Sequence, residues 1–242
     1  MSIQDILNNT KHRPWALPQK GWQYYQEWNK AIFLHYQVKL EDLQKWLPKG
    51  LELDLYESHP WVSIVAFTME RIRPKHLPSM AMISNFDEVN IRTYVKFGNK
   101  AGVYFLSIEG GKLLSCKIAK SLSQLPYRFS NMQRGQGSFS SRNTSFQDQL
   151  DIHYKIGQAK SEKNNLDRWL TERYALFQDE GMHINTFEIH HVEWPLNEVE
   201  VKSLNVNYPR FYPLFEGGPS KVQYSSGVQV LAWGKERFII KK

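Results

Sequence analysis

An alternating segment from residue 86 to residue 97 constrains the fold of this chain more than any other feature. It reads FDEVNIRTYVKF, and its polar residues of one parity are Glu88, Asn90, Arg92 and Tyr94. Because successive strand side chains point to opposite faces, a strand here presents acid, amide, guanidinium and phenol in one row. The row is either a solvated strand face above a buried Val/Ile face or the wall of a polar binding site.

Further strands and three helices are predicted around this segment. FGNKAG at 97–102 is typical of a tight turn, and 103–109 is the expected hairpin partner. Helices are predicted from apolar spacing at 39–50, 112–124 and 166–177. The other predicted strands are 32–38, 51–56, 61–72, 137–141, 150–156, 183–196 and 228–234. We therefore expect a single α+β domain over residues 1–242, with a mostly antiparallel, β-barrel-like core and a few packed helices.

The composition narrows the classes of partner. The formal net charge is +7, but Lys and Arg are spread along the chain and no nucleic-acid-binding motif accompanies them. The N-terminus lacks the apolar core of a signal peptide, and no apolar stretch is long enough to span a membrane. A single cysteine, Cys116, excludes an intrachain disulfide. We expect a cytoplasmic protein that binds neither nucleic acid nor membranes.

The histidines do not indicate a metal site. His190 and His191 are adjacent, so in a regular strand their side chains point apart and cannot chelate one ion. His183, Glu188 and Glu193 add oxygen and nitrogen donors without a recognised ligand spacing. No phosphate-binding loop, dinucleotide motif, nucleophile elbow or HExxH is present either. We expect no metal and no cofactor.

Two separate segments carry the candidate site. In a strand, Glu88 and Arg92 have Cα atoms roughly 13 Å apart, which leaves room for a small ligand between their side chains. Arg92 could hold a carboxylate while Glu88 acts as acid or base. LPYR at 125–128 follows the helix predicted at 112–124 and brings Tyr127 and Arg128, although a helix-terminating loop with an exposed Arg explains it equally well.

Several motifs in a fixed order make the chain resemble a known family. They are RPWALP (13–18), LPKGLELD (47–54), SNFDEVNIRTYV (84–95), GVYFLSIE (102–109), LPYR (125–128), LTERYALF (170–177) and IHHVEWPL (189–196). This combination resembles the YqjF-like family of bacterial proteins nearly end to end. That family is distantly similar to acetoacetate decarboxylase, which implies an α+β fold with a β-barrel-like core and a central pocket.

The resemblance also implies a pocket and a change in its chemistry. Acetoacetate decarboxylase works through a lysine Schiff base, and the similar position here is Tyr127, whose phenol cannot form an imine. Glu88 is at the position that resembles the glutamate on a strand of acetoacetate decarboxylase. The resemblance thus implies Glu88 and Tyr127 as catalytic residues, with Asn90, Arg92, Tyr94 and Arg128 binding substrate.

We accordingly expect a pocket for a small carboxylate or oxo-acid. If the protein is an enzyme, lyase or isomerase chemistry without a lysine Schiff base is expected. The alternative is a non-catalytic ligand-binding or interaction protein that kept the fold and lost the reaction. The similarity to decarboxylases is also compatible with homo-oligomers.

Overall fold

A computed structural model describes residues 1–123 and 125–240 of the chain, together with every side chain in these ranges except those of Met82, Leu122 and Ser123. The end of the predicted helix at Gln124 lies outside the described residues. The strands are β1 Tyr24–Gln37, β2 Glu52–Leu53, β3 Trp61–Pro74, β4 Phe86–Phe97, β5 Lys100–Gly110, β6 Tyr127–Phe129, β7 Asn131–Gly135, β8 Ser138–Asn143, β9 Asp148–Ala159, β10 Ala175–Glu180, β11 His183–His190, β12 Leu196–Asn207, β13 Lys221–Ala232 and β14 Glu236–Ile239. The helices are α1 Ile3–Asn8, α2 Leu40–Gln44, α3 Ala81–Ser84, α4 Leu113–Ser123 and α5 Asn165–Thr171, with a 3₁₀ helix at Pro209–Leu214.

The strands form one 14-stranded sheet that closes on itself over part of its length. Twelve of these strands follow the order β14-β11-β10-β5-β4-β3-β1-β13-β12-β9-β8-β7, while β2 pairs with β4 and β6 pairs with β5. Strand β11 also pairs with β13, through His190 and Leu231. This pairing closes a ring of seven strands in the order β11-β10-β5-β4-β3-β1-β13. Apart from the parallel β5–β10 pair, the neighbours in the ring are antiparallel. The predicted mostly antiparallel α+β fold is confirmed.

Two apolar layers lie on opposite faces of the ring. The interior layer includes Phe33 of β1 and Phe67 of β3, and the exterior layer includes Ile91 of β4. The strands β8 and β9 fold back over the outside of the ring and contribute Phe139 and Ile152 to the exterior layer. Both faces of β4 are therefore buried, so its polar row is not a solvated surface.

The predicted hairpin at 86–109 is present, with the tight turn between β4 and β5 at Gly98-Asn99. The helix predicted at 166–177 is wrong in its second half. Helix α5 ends at Thr171, and Ala175–Glu180 is strand β10, which pairs with both β5 and β11. Pairing on both sides satisfies the backbone groups of β10, which outweighs the weak helical periodicity of its sequence.

In the described ranges, every helix is too short or too polar to traverse a bilayer.

Candidate functional site

The ring of strands encloses a cavity of about 510 Å³. Gln23, Pro74 and Lys235 line it and are exposed, so they mark its mouth, where β1, β3 and β13 lie side by side. Most other lining side chains are apolar and come from the ring strands and from helices α3 and α4. The cavity is therefore mostly apolar and contains a small number of polar groups, which is the usual composition of a small-molecule site.

The row on β4 runs from the mouth into the depth of this cavity. Phe86 pairs across the sheet with Met69, nearest the mouth, and Glu88, Asn90 and Arg92 follow inward at every second position. All three polar side chains line the cavity and are buried. At about 3.3 Å per residue, the row extends roughly 20 Å from Phe86 to Arg92.

Glu88 is a carboxyl group poised to change charge at neutral pH. It is 3% exposed, and its Oε1 accepts a 3.3 Å hydrogen bond from the Asn90 amide. Burial raises the pKa of Glu88 to about 7, while the hydrogen bonds from Tyr127 and Asn90 partly oppose that rise. A carboxyl group with a pKa near neutrality can both accept and return a proton, as general acid–base chemistry requires.

Tyr127 reaches the same carboxyl group from another strand. Strand β6 pairs in parallel with β5, placing Tyr127 opposite Ile108 and beside the β4 row. Its hydroxyl donates a 2.8 Å hydrogen bond to Glu88 Oε2. Burial and the nearby Glu88 raise the pKa of Tyr127 well above its usual range, so the phenol is a neutral hydrogen-bond donor.

Arg92 is a buried cation without a carboxylate partner among the described residues. It is 8% exposed, its guanidinium lies 5.8 Å from the Phe33 ring centroid, and one terminal nitrogen reaches the Leu170 carbonyl at 3.5 Å. The neighbouring cavity residue Arg173, by contrast, forms a 2.6 Å ion pair with Asp54. Because an unpaired buried charge is costly, the Arg92 guanidinium is electrostatically unsatisfied by the described side chains around it.

Tyr94 continues the β4 row but does not line the cavity. Its hydroxyl lies 2.6 Å from Ser63 Oγ and donates to the Leu170 carbonyl at 3.0 Å, and its ring is covered by Trp169. Tyr94 thus packs beneath helix α5. Its contacts hold the carbonyl that Arg92 also reaches.

Arg128 lies on the opposite side of the sheet from Tyr127 and does not line the cavity either. It hydrogen-bonds Ser107 and lies 3.9 Å from Glu109 and 3.8 Å from Asp148. Adjacent residues of a strand point to opposite faces, so Tyr127 and Arg128 cannot serve one pocket from β6.

Two further cavity residues were not anticipated as site residues. Arg173 follows α5 and is buried; its LTERYALF segment contributes to the family resemblance but gives no signal that this arginine lines a cavity. His191 lines the cavity, whereas the His190 ring turns away to the Ile6 carbonyl at 2.9 Å. Both rings lie beside Tyr174, with centroids 6.1 Å and 5.0 Å from its ring, and burial lowers the pKa of His191, which keeps it neutral.

No group of three His, Cys, Asp or Glu side chains within the described residues is arranged to hold a metal ion. Lys117 and Lys120 are exposed on α4 and do not line the cavity. Among the described lining residues the one lysine is Lys235, at the mouth. The depth of the cavity thus holds acid, phenol and guanidinium groups.

Comparison with known proteins identifies the family. The DUF2071 profile, described as an uncharacterized conserved protein, matches residues 25–229. The chain belongs to the DUF2071 family. Uncharacterized protein YqjF of Bacillus subtilis, a similar protein, is 30% identical over 227 residues, which cover 90% of this chain and 93% of YqjF.

Solved structures show that this DUF2071 protein has an acetoacetate decarboxylase-like fold. An acetoacetate decarboxylase-like enzyme from Sphingomonas wittichii RW1 has a TM-score of 0.61 at 12% identity, covering 91% of this chain and 94% of that one. The enduracididine biosynthesis enzyme MppR, solved with HEPES buffer bound, has a TM-score of 0.61 at 10% identity, covering 95% and 92%. MppR has also been solved with pyruvate.

Proposed function

We propose that this protein binds a small carboxylate, specifically an oxo-acid, in the cavity of the ring. The observation that carries the proposal is Arg92, a buried guanidinium without a carboxylate partner among the described residues, at the deep end of an apolar chamber. A ligand carboxylate would supply the missing counter-charge through a charge-assisted hydrogen bond. The pyruvate complex of MppR, a protein of similar fold, supports this class of ligand.

The proposed chemistry is proton transfer at the carbon beside the ligand's carbonyl group. Ionised Glu88 takes a proton from that carbon, the electrons move to the carbonyl oxygen, and Tyr127 donates a hydrogen bond to the resulting enolate. Returning the proton from Glu88 to the other face of that carbon, or to a carbon conjugated with it, completes an isomerase-type step. Where the next carbon carries a leaving group, the enolate electrons instead form a carbon–carbon double bond, the leaving group departs with its bonding electrons, and protonated Glu88 donates its proton to that group, which is a lyase-type step. The pKa of about 7 at Glu88 suits both directions of transfer at neutral pH.

A lysine Schiff base is not part of this proposal. Tyr127 occupies the position that resembles the imine-forming lysine, and Lys235 is exposed at the mouth. Borohydride added in the presence of acetoacetate is therefore expected to leave the protein mass unchanged. A trapped adduct at Lys235, Lys117 or Lys120 would overturn this part of the mechanism.

Ligand binding is tested by thermal shift with millimolar pyruvate, acetoacetate and 4-methyl-2-oxopentanoate. At least one of these acids should raise the Tm of the native protein but not that of Arg92→Ala. The matched control is Arg71→Ala, which removes an exposed arginine outside the cavity and should keep the response. No shift with any oxo-acid, or equal shifts in both variants, contradicts the proposal.

Catalysis is tested separately from binding. The protons next to the carbonyl of a bound oxo-acid should exchange with D₂O faster in the presence of native protein than of Glu88→Gln, as followed by NMR. Binding without accelerated exchange would identify a non-catalytic ligand-binding protein instead.

A further inference from the structure

The part of the cavity between Glu88 and the mouth is larger than a three-carbon acid requires. The volume of about 510 Å³ falls within the range of roughly 300–1,000 Å³ that holds drug-sized ligands. A small oxo-acid with its carboxylate at Arg92 would occupy the inner end of a row roughly 20 Å long. The outer portion, around Phe86 and Met69, would stay unfilled.

Aromatic side chains form a continuous wall from Arg92 toward the mouth. The ring of Phe33, beside the Arg92 guanidinium, lies edge-on to Trp194 with centroids 5.2 Å apart. Trp194 stacks with Trp28 at 6.1 Å, and Trp28 lies 5.8 Å from Phe67. All four rings line the cavity.

The depth of these residues follows from strand register. Phe33 pairs with Val65, which pairs with Asn90, so Phe33 lies at the inner level of the polar row. Trp28 pairs with Met69, which pairs with Phe86, so Trp28 lies at the outer level. A ligand whose carboxylate lies at Arg92 would therefore extend its other end along Phe33 and Trp194 toward Trp28.

From this placement we propose that the ligand is an oxo-acid with an aryl substituent, held carboxylate inward and ring outward against Trp28 and Trp194. An aryl ring gains edge-on and stacking contacts with these rings beyond the area it buries, whereas a branched alkyl chain gains burial alone. This proposal rests on the proposed oxo-acid function, to which it adds that the substituent of the oxo-acid is an aryl group.

Calorimetric titration of the native protein compares pyruvate, 4-methyl-2-oxopentanoate and phenylpyruvate. Phenylpyruvate is expected to bind at least tenfold more tightly than either of the other acids. Equal affinity for phenylpyruvate and 4-methyl-2-oxopentanoate overturns the aryl assignment but leaves the oxo-acid function standing. Absence of binding by all three acids overturns the function itself, and the aryl assignment with it.

Variants then locate the aryl subsite. Trp28→Leu should lose most of the preference for phenylpyruvate over pyruvate, because the outer part of the wall is removed. Trp46→Leu is the matched control, since Trp46 packs on Phe211 in the exterior layer and does not line the cavity. Equal preference in the two variants contradicts the proposed placement, and the titrations of native protein test the ligand class even if Trp28→Leu fails to fold.

Discussion

Glu88 shows at the scale of one residue how burial prepares a group for chemistry. Strand parity correctly places Glu88, Asn90 and Arg92 on one face, because that rule depends only on backbone geometry. Parity also separates Tyr127 from Arg128, which the resemblance had grouped together. It could not show that Tyr94 would be covered by α5, because that contact joins segments 76 residues apart.

The raised pKa of Glu88 has a consequence for stability. A carboxyl group with an ordinary pKa of 4.5 that rises to about 7 on folding takes up a proton between these pH values. The contribution of Glu88 to the free energy of unfolding is therefore largest below pH 4.5 and is lost as the pH rises through 7. At about 1.36 kcal/mol per pH unit, the loss is about 3 kcal/mol.

Glu88→Gln should remove this pH dependence while keeping an acceptor for Tyr127. The free energy of unfolding of Glu88→Gln, relative to the native protein, is expected to increase by about 3 kcal/mol between pH 4.5 and pH 8. Denaturant titrations at both pH values measure it, and Glu162→Gln, at an exposed carboxylate, serves as the control. If the difference in free energy of unfolding between Glu88→Gln and the native protein is the same at both pH values, burial does not raise the pKa of Glu88.

At the scale of the element, β3, β4 and β5 were predicted over most of their length, whereas β1 and β13 were predicted only over their second parts. The segments that became β3 and β4 carry long apolar or alternating patterns that a helix would not produce. Strand β12 was missed, although its Val199, Val201, Leu204 and Val206 follow the strand alternation with one register shift. Strand β10 was assigned to a helix because six residues are too few for periodicity to separate the two structures.

The parallel pairing of β5 with β10 depends on a residue without a side chain. A Cβ atom at Gly102 would lie 2.3 Å from the carbonyl oxygen of Ala175 and 2.7 Å from the ring of Phe177. Since a backbone atom cannot move aside without breaking the pair, Gly102 permits the close approach that places β10 in the ring.

Gly102→Ala is therefore expected to lower the free energy of unfolding by about 1–3 kcal/mol, the usual cost of overpacking. The matched control is Gly21→Ala, where the nearest atom is the flexible Lys75 Nζ at 3.4 Å. Chemical denaturation of both variants provides the measurement. Equal stability of Gly102→Ala and Gly21→Ala would mean that β10 shifts to accommodate the methyl group.

At the scale of the whole molecule, ring closure divides the sheet into protected and peripheral strands. Strand β3 has a neighbour on each side and is buried over most of its length. Strands β7 and β14 end the strand order, and every residue of β14 is exposed. Local stability should therefore differ across one continuous sheet.

Native-state hydrogen exchange should reveal this difference. Hydrogen-bonded amides of β3 and β4 are expected to exchange only through global unfolding, whereas those of β7 and β14 exchange through smaller openings with lower free energies. Urea dependence of the exchange rates distinguishes the two routes. Uniform exchange free energies from β14 to β7 would contradict a stable ring with peripheral edges.

The sequence by itself determined that this chain forms a mostly β structure in which Glu88, Asn90 and Arg92 share a strand face. These properties follow from a two-residue repeat and from apolar content, which are local. Only the tertiary structure decided that this face lines an enclosed cavity, that Arg173 and His191 join it, and that Tyr94 and Arg128 lie outside it. Each of those outcomes depends on strand pairings and covering elements that bring distant segments together, and a local pattern carries no information about such contacts.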